Sequence, residues 1–310
     1  FAVMLTAVFS CFSFLTICFY ARGVAAAAAM GPNGHIRLAR WRETGALTGV
    51  CLAAIAPTAL QAAGLPGFLG FAAGFAALCA LGGAALAPEW RDTAAPPPSG
   101  FGPVLRDPLA RRLLILALVN AAPVAVTSTL FLFFVESRLG LPDLAGPLLV
   151  LFFLSAAVSA PVWGAVAERI GARAALMWGM ALSVAAFSLA LSLGTGDTVL
   201  FAVICLASGA ALGADLTLLP ALFSRRMADV APAASEGFAL WSFVSKFTLA
   251  SAAVLLLPAL ELAGFQPGAG NDPAALWALT LAYAGLPCLL KLCALVLAAR
   301  LPRATSSEAT

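Results

Sequence analysis

Three ionisable residues, Asp215, Lys246 and Lys291, lie well inside stretches of the sequence that are otherwise apolar. A charged side chain near the centre of a membrane helix costs about 2.5–3.5 kcal/mol on insertion scales, so it needs a partner or access to water. Carboxylate and ammonium groups held at such depths are suited to binding a polar substrate or a coupling cation. The three residues therefore indicate a polar pathway through a membrane protein.

The three groups are predicted to lie at similar depths. At about 1.5 Å of rise per residue, Asp215 and Lys291 lie roughly 7 Å, and Lys246 roughly 6 Å, to the cytoplasmic side of the midpoints of their spans. The spans of Asp215 and Lys246 are consecutive and antiparallel, so an Asp215–Lys246 ion pair is geometrically open. Two interpretations follow. In the first, this pair is a structural lock and Lys291 extends toward the cytoplasm. In the second, the charged groups line a polar cavity for substrate or cation.

Neutral polar side chains in two of the spans add hydrogen-bonding capacity. Asn120, Thr127 and Ser128 share one span, and Ser242 and Ser245 share the span of Lys246. For any single one of them, a hydrogen bond to its own helix backbone or to a neighbouring helix is the simpler interpretation. We include Asn120 among the pathway residues.

The composition excludes a soluble globular protein. Hydrophobic residues make up 62% of the chain and charged residues only 10%, with a mean hydropathy of +1.01, whereas about a quarter of a soluble domain is charged. All seven cysteines lie in apolar stretches, which favours a packing role over a disulfide framework. The only histidine, His35, cannot build a metal site alone. The sequence has no phosphate-binding loop, zinc-protease motif or nucleophile elbow, so it does not predict an enzyme. The net charge of +3 does not indicate a nucleic-acid binder, because the membrane topology accounts for the basic residues.

Nine apolar stretches are long enough to cross a bilayer, for which about 20 residues suffice. Because only helices satisfy their backbone groups in lipid over such lengths, we predict an all-α polytopic membrane protein. The predicted spans are Phe1–Tyr20, Thr44–Ala63, Phe68–Ala87, Leu113–Val135, Ala145–Val166, Ala174–Leu193, Thr198–Leu222, Phe238–Leu260 and Ala274–Ala299.

The connections between the spans predict the orientation in the membrane. Alternate connections, together with the segment after the last span, carry fourteen Lys or Arg residues, whereas the others carry one, Arg138. Since cytoplasmic loops are enriched in Lys and Arg, the C-terminus is expected in the cytoplasm and Phe1 outside.

The longest predicted cytoplasmic connection divides the chain. It covers residues 88–112, contains Pro96-Pro97-Pro98 and separates three spans from six. We therefore predict a partial N-terminal bundle (1–87), a central loop (88–112), a C-terminal six-helix bundle (113–299) and a cytoplasmic tail (300–310). An outside start, with no initiating Met or basic signal region, leads us to expect that helices preceding Phe1 are absent from this chain.

A short polar turn connects two of the spans of the C-terminal bundle. It contains Gly164, Glu168, Arg169, Gly171 and Arg173, and Gly171 can adopt the positive φ of a tight turn. The spacing Gly-x-x-x-acid-Arg-x-Gly-x-Arg resembles the loop signature of the major facilitator superfamily, which lies between helices 2 and 3 and again between helices 8 and 9. On this resemblance the chain corresponds to helices 4–12 of twelve, and the turn is expected to act as a conformational latch.

A second resemblance is narrower. The segments Gly213-Ala-Asp215-Leu-Thr-Leu-Leu-Pro220, Met227-Ala-Asp229-Val, Ser235-Glu236-Gly237 and Leu240-Trp-Ser-Phe-Val-Ser-Lys246 follow in order, and Arg40-Trp-Arg42-Glu43-x-Gly45-Ala-Leu-x-Gly49 precedes them. They resemble helices 10, 11 and 5 of the glycoside–pentoside–hexuronide:cation symporters, the melibiose-carrier-like group.

This resemblance implies roles for individual residues. Lys246 matches the helix-11 lysine between the sugar and cation sites, Arg42 a helix-5 arginine that faces the sugar, and Asp215 an acidic position of helix 10. Thr16 stands where melibiose carriers have a sugar-binding aspartate. The expected pathway residues are thus Lys246, Asp215, Arg42, Asn120, Thr16 and Lys291.

The expected function is cation-coupled symport of a small polar solute, such as a sugar or glycoside, by alternating access in a bacterial inner membrane. The expected partners are the solute, a coupling Na⁺ or H⁺ and the lipid bilayer, with no other cofactor and no implied oligomer. Two alternatives stay open. One is a lipid or drug exporter of the same superfamily, which the scarcity of polar residues in Phe1–Tyr20 favours, and the other is a non-transporting sensor or scaffold.

Overall fold

The computed structural model describes residues 2–90, 100–231, 234–268 and 270–302. Over these ranges the regular structure is entirely helical, and nine helical segments are long and apolar enough to cross a membrane. The helices are α1 (Ala2–Ala29), α2 (Gly34–Ala62), α3 (Gly67–Trp90), α4 (Gly102–Arg106), α5 (Pro108–Phe133), α6 (Ala145–Ile170), α7 (Ala172–Ala190), α8 (Thr198–Val230), α9 (Ser235–Leu262), α10 (Pro273–Thr280) and α11 (Leu286–Ala299).

Two spans contain a turn of π-helix. The segment Phe134–Arg138 continues α5, and Leu281–Gly285 joins α10 to α11 into one span, Pro273–Ala299. Single π-helical turns inside α-helices are frequent at functional sites. The second one places Tyr283 against Phe134, with 4.1 Å between the ring centroids.

The prediction of an all-α polytopic fold is confirmed, but several helices are longer than the predicted spans. α1 continues past Tyr20 to Ala29, α2 begins at Gly34 rather than Thr44, and α8 continues past Leu222 to Val230. Hydropathy marks only the part of a helix that lies in lipid. Alanine and arginine, which dominate these extensions, are strong helix formers and carry the helices beyond that part.

The core is built around α5 and α8, which have the largest buried share among the spanning helices. α8 packs closely on α6 because Gly209 and Gly213 face it. A Cβ added at Gly209 would lie 2.2 Å from the carbonyl oxygen of Phe152, and one at Gly213 would lie 2.2 Å from Oγ of Ser159. Small residues four apart thus allow close contact between the two helices, as is usual within membranes.

One end of the bundle, here called the basic end, contains the α1–α2 turn at residues 30–33, Gly171 and Pro302, which line a common groove. At this end Phe223 and Phe238 pack edge to face, 5.4 Å apart, within a large hydrophobic cluster. A second cluster around Phe134, Phe201 and Tyr283 occupies the opposite end. The polar side chains described below lie along helices that run between these two clusters.

The first three helices contact the rest of the chain mainly through α2 and α1. α2 packs along α6 and α8, α1 packs along α8 and α9, and α3 packs on α2. The predicted division of the chain at residues 88–112 stays a prediction. Residues 91–99 of that loop, with the proline run and Ser99, and residues 303–310 of the predicted tail lie outside the described residues.

Candidate functional site

The most deeply buried charges form a cluster that we call the buried triad: Asn120 of α5, Asp215 of α8 and Lys291 of α11. Nζ of Lys291 donates a hydrogen bond to Oδ1 of Asn120 at 2.7 Å and another, within an ion pair, to Oδ2 of Asp215. The exposed fractions of Asn120, Asp215 and Lys291 are 4%, 6% and 2%. Opposite charges and an amide are thus brought together from three helices that are distant in the sequence.

The Asp215–Lys246 pair left open by the sequence does not form, and Lys291 does not extend toward the cytoplasm. α8 and α9 touch near their connection, where Phe223 packs on Trp241, but α8 otherwise packs on α6 and α7 while α9 packs on α5 and α1. Consecutive helices are therefore not neighbours at the depth of Asp215. The acid faces α11, and Lys291 takes the place that the sequence had left open for Lys246.

A small pocket of about 20 Å³ adjoins the buried triad. Helices α5, α6, α7, α8 and α11 all contribute to its lining, and its polar side chains are Thr127, Ser183, Ser208, Asp215 and Lys291. Oδ1 of Asp215 is buried and has no hydrogen-bond partner among the described residues. A pocket of this volume has room for about one water molecule.

Lys246 lies in a different place, between α9 and α1. Its ammonium donates a hydrogen bond to Oγ of Ser13, whose own proton is donated to the backbone oxygen of Phe9. Thr16, one turn further along α1, donates to the backbone oxygen of Phe12 at 2.7 Å. Thr16 therefore shows the backbone bonding typical of a hydroxyl within a helix, while Lys246 has a neutral partner from another helix.

Arg42 belongs to a cluster between α1 and α2. Its guanidinium carbon lies 3.7 Å from the ring centroid of Tyr20, and its Nε donates to Oε1 of Glu43 at 2.8 Å. The hydroxyl of Tyr20 donates to the same oxygen at 2.9 Å. Nη2 of Arg42 is buried without a hydrogen-bond partner in the described part of the chain. Arg42 thus keeps donor capacity beside α1.

The predicted latch connects α6 to α2. Gly164 packs against Arg40, since a Cβ at this glycine would lie 2.7 Å from Cδ of the arginine. One turn later, Nη1 of Arg40 lies 3.4 Å from Oε1 of Glu168. Gly171 then ends α6 with a φ of +88°, the positive value that the tight turn was predicted to need.

The two arginines of the turn differ. Nε of Arg173 donates to the backbone oxygen of Ala298 at 2.9 Å, so the start of α7 is tied to the end of α11. Arg169 is exposed, and no hydrogen bond or ion pair of its side chain is found in the described ranges. Among the described residues, the turn therefore contacts α2 through Glu168 and Arg40.

Comparison with known families decides what kind of protein carries these sites. A family model described as MFS/sugar transport protein matches residues 1–303. The chain belongs to this family. It is therefore an integral membrane transporter of the major facilitator superfamily rather than an enzyme. A comparison with curated proteins gives no match.

Two further polar contacts join parts of the transporter at its basic end. Nδ1 of His35 on α2 lies 2.9 Å from Oγ of Ser224 on α8. Asp107, which caps α5 by accepting from the backbone N–H of Ala110, accepts two hydrogen bonds from Arg226 of α8. The hydrogen bonds from Arg226 hold the pKa of the Asp107 carboxyl below its ordinary value.

Sequence reasoning missed several residues of the transporter that contact the predicted ones. They are Ser13, Tyr20, Arg40 and Glu43. Glu43 and Arg42 are adjacent in the sequence, and this adjacency is a signal that predicts a local ion pair. Ser13 gives no such signal, because its importance depends on α1 lying beside α9, and nothing in a stretch of apolar residues indicates which helices become neighbours.

Proposed function

We propose that this transporter is a secondary active carrier that moves a small polar solute, such as a sugar or glycoside, together with a cation. The observation that carries the proposal is the environment of Lys246. Its ammonium lies within the apolar span α9, donates to the hydroxyl of Ser13 and has no acidic partner among the described residues. An ammonium has three donors, so Lys246 retains donors for a solute.

The proposed solute pathway follows one face of α1. Ser13 and Tyr20 are seven residues apart and therefore lie on the same face, separated by about 10 Å along the helix. Lys246 contacts the first and Arg42 the second. Two cationic donors from α9 and α2 thus stand at the two ends of a stretch that suits a sugar of one or two rings. Thr16 lies between them, and we include it in the pathway.

Alternating access requires that the basic end open and close. In this proposal residues 1–87 and 113–299 move relative to each other. The contacts that hold them together at the basic end include the Arg40–Glu168 ion pair and the His35–Ser224 hydrogen bond. Ion pairs that are partly exposed contribute only about 0–1 kcal/mol each, so such contacts can break and re-form during a transport cycle. The arginine distribution supports a cytoplasmic location for the basic end, in a bacterial inner membrane.

A reconstitution experiment tests the proposal. Liposomes that contain the protein are loaded with an unlabelled sugar, and entry of the same sugar in labelled form is measured without any ion gradient. The assay is repeated over a panel of hexosides, pentosides and uronides. We expect counterflow of at least one sugar, which Lys246→Ala reduces about tenfold at low sugar concentration while protein incorporation is unchanged. Imposed Na⁺ and H⁺ gradients are then compared for accumulation. Counterflow that is equal in Lys246→Ala liposomes would contradict the proposed pathway.

A lipid or drug exporter is the second candidate. It is favoured by α1, the helix that contacts Lys246, because its polar side chains Ser13 and Thr16 bond to their own backbone while its large apolar ones are exposed. A surface of this kind suits an amphiphile whose polar group binds Lys246. A fluorescent lipid analogue assayed in the same liposomes distinguishes the two, since a sugar carrier does not change the rate at which it crosses the bilayer.

A further inference from the structure

The short helix α4 and the start of α5 form a corner at the basic end, residues 101–112, here called the arginine corner. Val104 is fully buried in the hydrophobic cluster of this end, so α4 packs on the bundle through this side chain. Phe101 and Leu105 are four residues apart and share another face of the helix. They are 50% and 48% exposed. Two large apolar side chains of the corner thus lie outside the bundle.

Three arginines of the corner are exposed as well. Arg106 ends α4, and Arg111 and Arg112 belong to the first turns of α5. Their side chains make no ion pair with any residue that the structure describes. Asp107 lies between them in the sequence, but it is turned toward α8, where it accepts two hydrogen bonds from Arg226. The outer face of the corner therefore carries three positive charges.

Two further acids close to the corner are bound to other groups. Oδ2 of Asp229 lies 3.5 Å from Nη1 of Arg226. Oε1 of Glu236 accepts a hydrogen bond from the backbone N–H of Gly100 at 3.2 Å. The negative charges near the corner are thus engaged within the protein, and the arginines of the corner need a counter-charge from outside it.

The depth of the arginines follows from the lipid-facing side of α5. Ile115 and Leu118 lie on this membrane-spanning helix and are 45% and 36% exposed, as side chains that contact lipid tails are. Arg111 is four residues before the first and seven before the second. It therefore lies on the same face of α5, about 6 Å and 10 Å nearer to the basic end. An arginine in this position reaches the level of the phospholipid headgroups.

We propose that the arginine corner binds the phosphate groups of anionic phospholipids in the surrounding bilayer. Arg106, Arg111 and Arg112 supply charge-assisted hydrogen bonds to phosphate oxygens. Phe101 and Leu105 enter the boundary between headgroups and acyl chains, as the apolar face of an interfacial helix does. Anionic lipid is favoured over zwitterionic lipid because the three charges lack a counter-charge in the protein. The proposed cytoplasmic location of the basic end places the corner in the leaflet that carries anionic lipid. The inference does not depend on which solute is carried.

A local fluorescence reporter tests this inference. The Phe101→Trp protein is reconstituted into phosphatidylcholine vesicles that contain either brominated phosphatidylglycerol or, at the same mole fraction, brominated phosphatidylcholine. The signal is the fluorescence that Phe101→Trp adds to that of the natural tryptophans. We expect stronger quenching by the anionic lipid. Arg111→Gln should lower this preference about fivefold, and Arg106→Gln/Arg111→Gln/Arg112→Gln should abolish it.

A matched control removes the same charge elsewhere at the basic end. Arg37, Arg169 and Arg300 are exposed and come from three other parts of the chain. Their combined replacement by glutamine should leave the preferential quenching at Phe101→Trp in place. An equal loss in this control would assign the effect to net charge and overturn the inference.

Two further results bear on the arginine corner. Raising the salt from about 0.01 M to about 1 M shortens the screening length from about 30 Å to about 3 Å, so it should weaken the preference without any change to the fold. Equal quenching by the two lipids at low salt would overturn the inference. Fluorescence that neither lipid quenches would also overturn it, since the corner would then lie away from the bilayer and its charges would suit an acidic protein instead.

Discussion

Lys291 and Asp215 form an ion pair inside the helical bundle, with side chains that are 2% and 6% exposed. A buried pair is weak evidence for stability in itself, because the attraction between the charges is offset by their lost hydration. Each charge of the pair nevertheless depends on the other, since neither is tolerated alone in the bundle. This dependence makes the pair sensitive to single substitutions.

The first prediction concerns the stability of the pair. Lys291→Gln or Asp215→Asn alone should lower the stability of the protein by about 3–5 kcal/mol, because each leaves one uncompensated charge in the bundle. The double variant should recover most of this loss. Thermal unfolding in detergent is the measurement. If the loss of stability in the double variant equals the sum of the losses in the two single variants, Lys291 and Asp215 do not interact in the folded protein.

The second prediction concerns the latch at the basic end. Arg40→Ala and Glu168→Ala each remove one partner of a partly exposed ion pair worth about 0–1 kcal/mol, so the thermal stability should change little. The same change shifts the balance between closed and open basic ends by up to about fivefold and should alter the transport rate. The double variant should match either single one, and Arg169→Ala, at the neighbouring exposed arginine, should match the wild type. Additive effects of the two substitutions would mean that the pair does not act as a latch.

The third prediction concerns orientation in the membrane. Asn33 and Gln266 are exposed and lie at opposite ends of the bundle. In intact cells Gln266→Cys should react with a membrane-impermeant thiol reagent and Asn33→Cys should not, with the unsubstituted chain as background. The inverse pattern would place the basic end outside. Ser99, in the predicted central loop, is a further position for this labelling and lies outside the described residues.

The fourth prediction concerns pH. The hydrogen bonds from Arg226 lower the pKa of Asp107 in the folded protein, so this carboxyl contributes stability at pH values above its unfolded pKa. The contribution is lost as the pH falls through the lower, folded pKa. Asp107→Asn should therefore reduce the melting temperature at neutral pH and flatten its decline on the acidic side.

A matched control for Asp107 is Asp229→Asn. Asp229 contacts the same arginine at 3.5 Å, but its side chain is 67% exposed. This substitution should leave the pH profile of the melting temperature unchanged. An equal flattening by both substitutions would assign the effect to the general charge of the basic end rather than to the Asp107–Arg226 contact.

Features that depend on a short stretch of sequence could be predicted from the sequence, whereas features that depend on contacts between distant helices could not. The nine spans follow from local hydropathy, and the positive φ of Gly171 follows from the tight turn it occupies. The partner of Asp215 does not follow from either. The depth of a residue along a helix can be estimated from its number in the sequence. The partner of its side chain can be identified only once the neighbouring helices are known. Lys291 lies at a similar predicted depth, and α11, which packs on α5 and α7, brings its ammonium to Asp215.

The same argument explains the partner of Lys246. Charged residues in apolar spans can be recognised from the sequence, and Asp215 is therefore the predicted partner of Lys246. Ser13 is a hydroxyl in a helix with many apolar residues, and its own hydrogen bond to Phe9 is the ordinary one for such a residue. Only the packing of α1 on α9 brings its free lone pair to the ammonium of Lys246.

The last prediction separates the two lysines. Lys291 is bound to an acid, whereas Lys246 is bound to a hydroxyl, so their replacement by glutamine should have different consequences. Lys291→Gln should lower thermal stability by the amount given for a broken buried pair. Lys246→Gln leaves no unpaired charge and should lower it by less than about 1 kcal/mol, within the usual range for point substitutions.

Transport of the solute should be the main property that Lys246→Gln changes. Lys246→Gln removes an ammonium from the proposed solute pathway, so the KM for counterflow should rise, by about tenfold if one charge-assisted hydrogen bond of about 1.5 kcal/mol is lost. Lys246→Arg, which retains the charge, should recover part of this loss, and Ser13→Ala should have a smaller effect because the ammonium keeps its other donors. A Lys246→Gln variant that is as unstable as Lys291→Gln would mean that Lys246 has an acidic partner in the folded protein. In that case its main role would be structural, and the solute pathway would have to be sought nearer to Arg42.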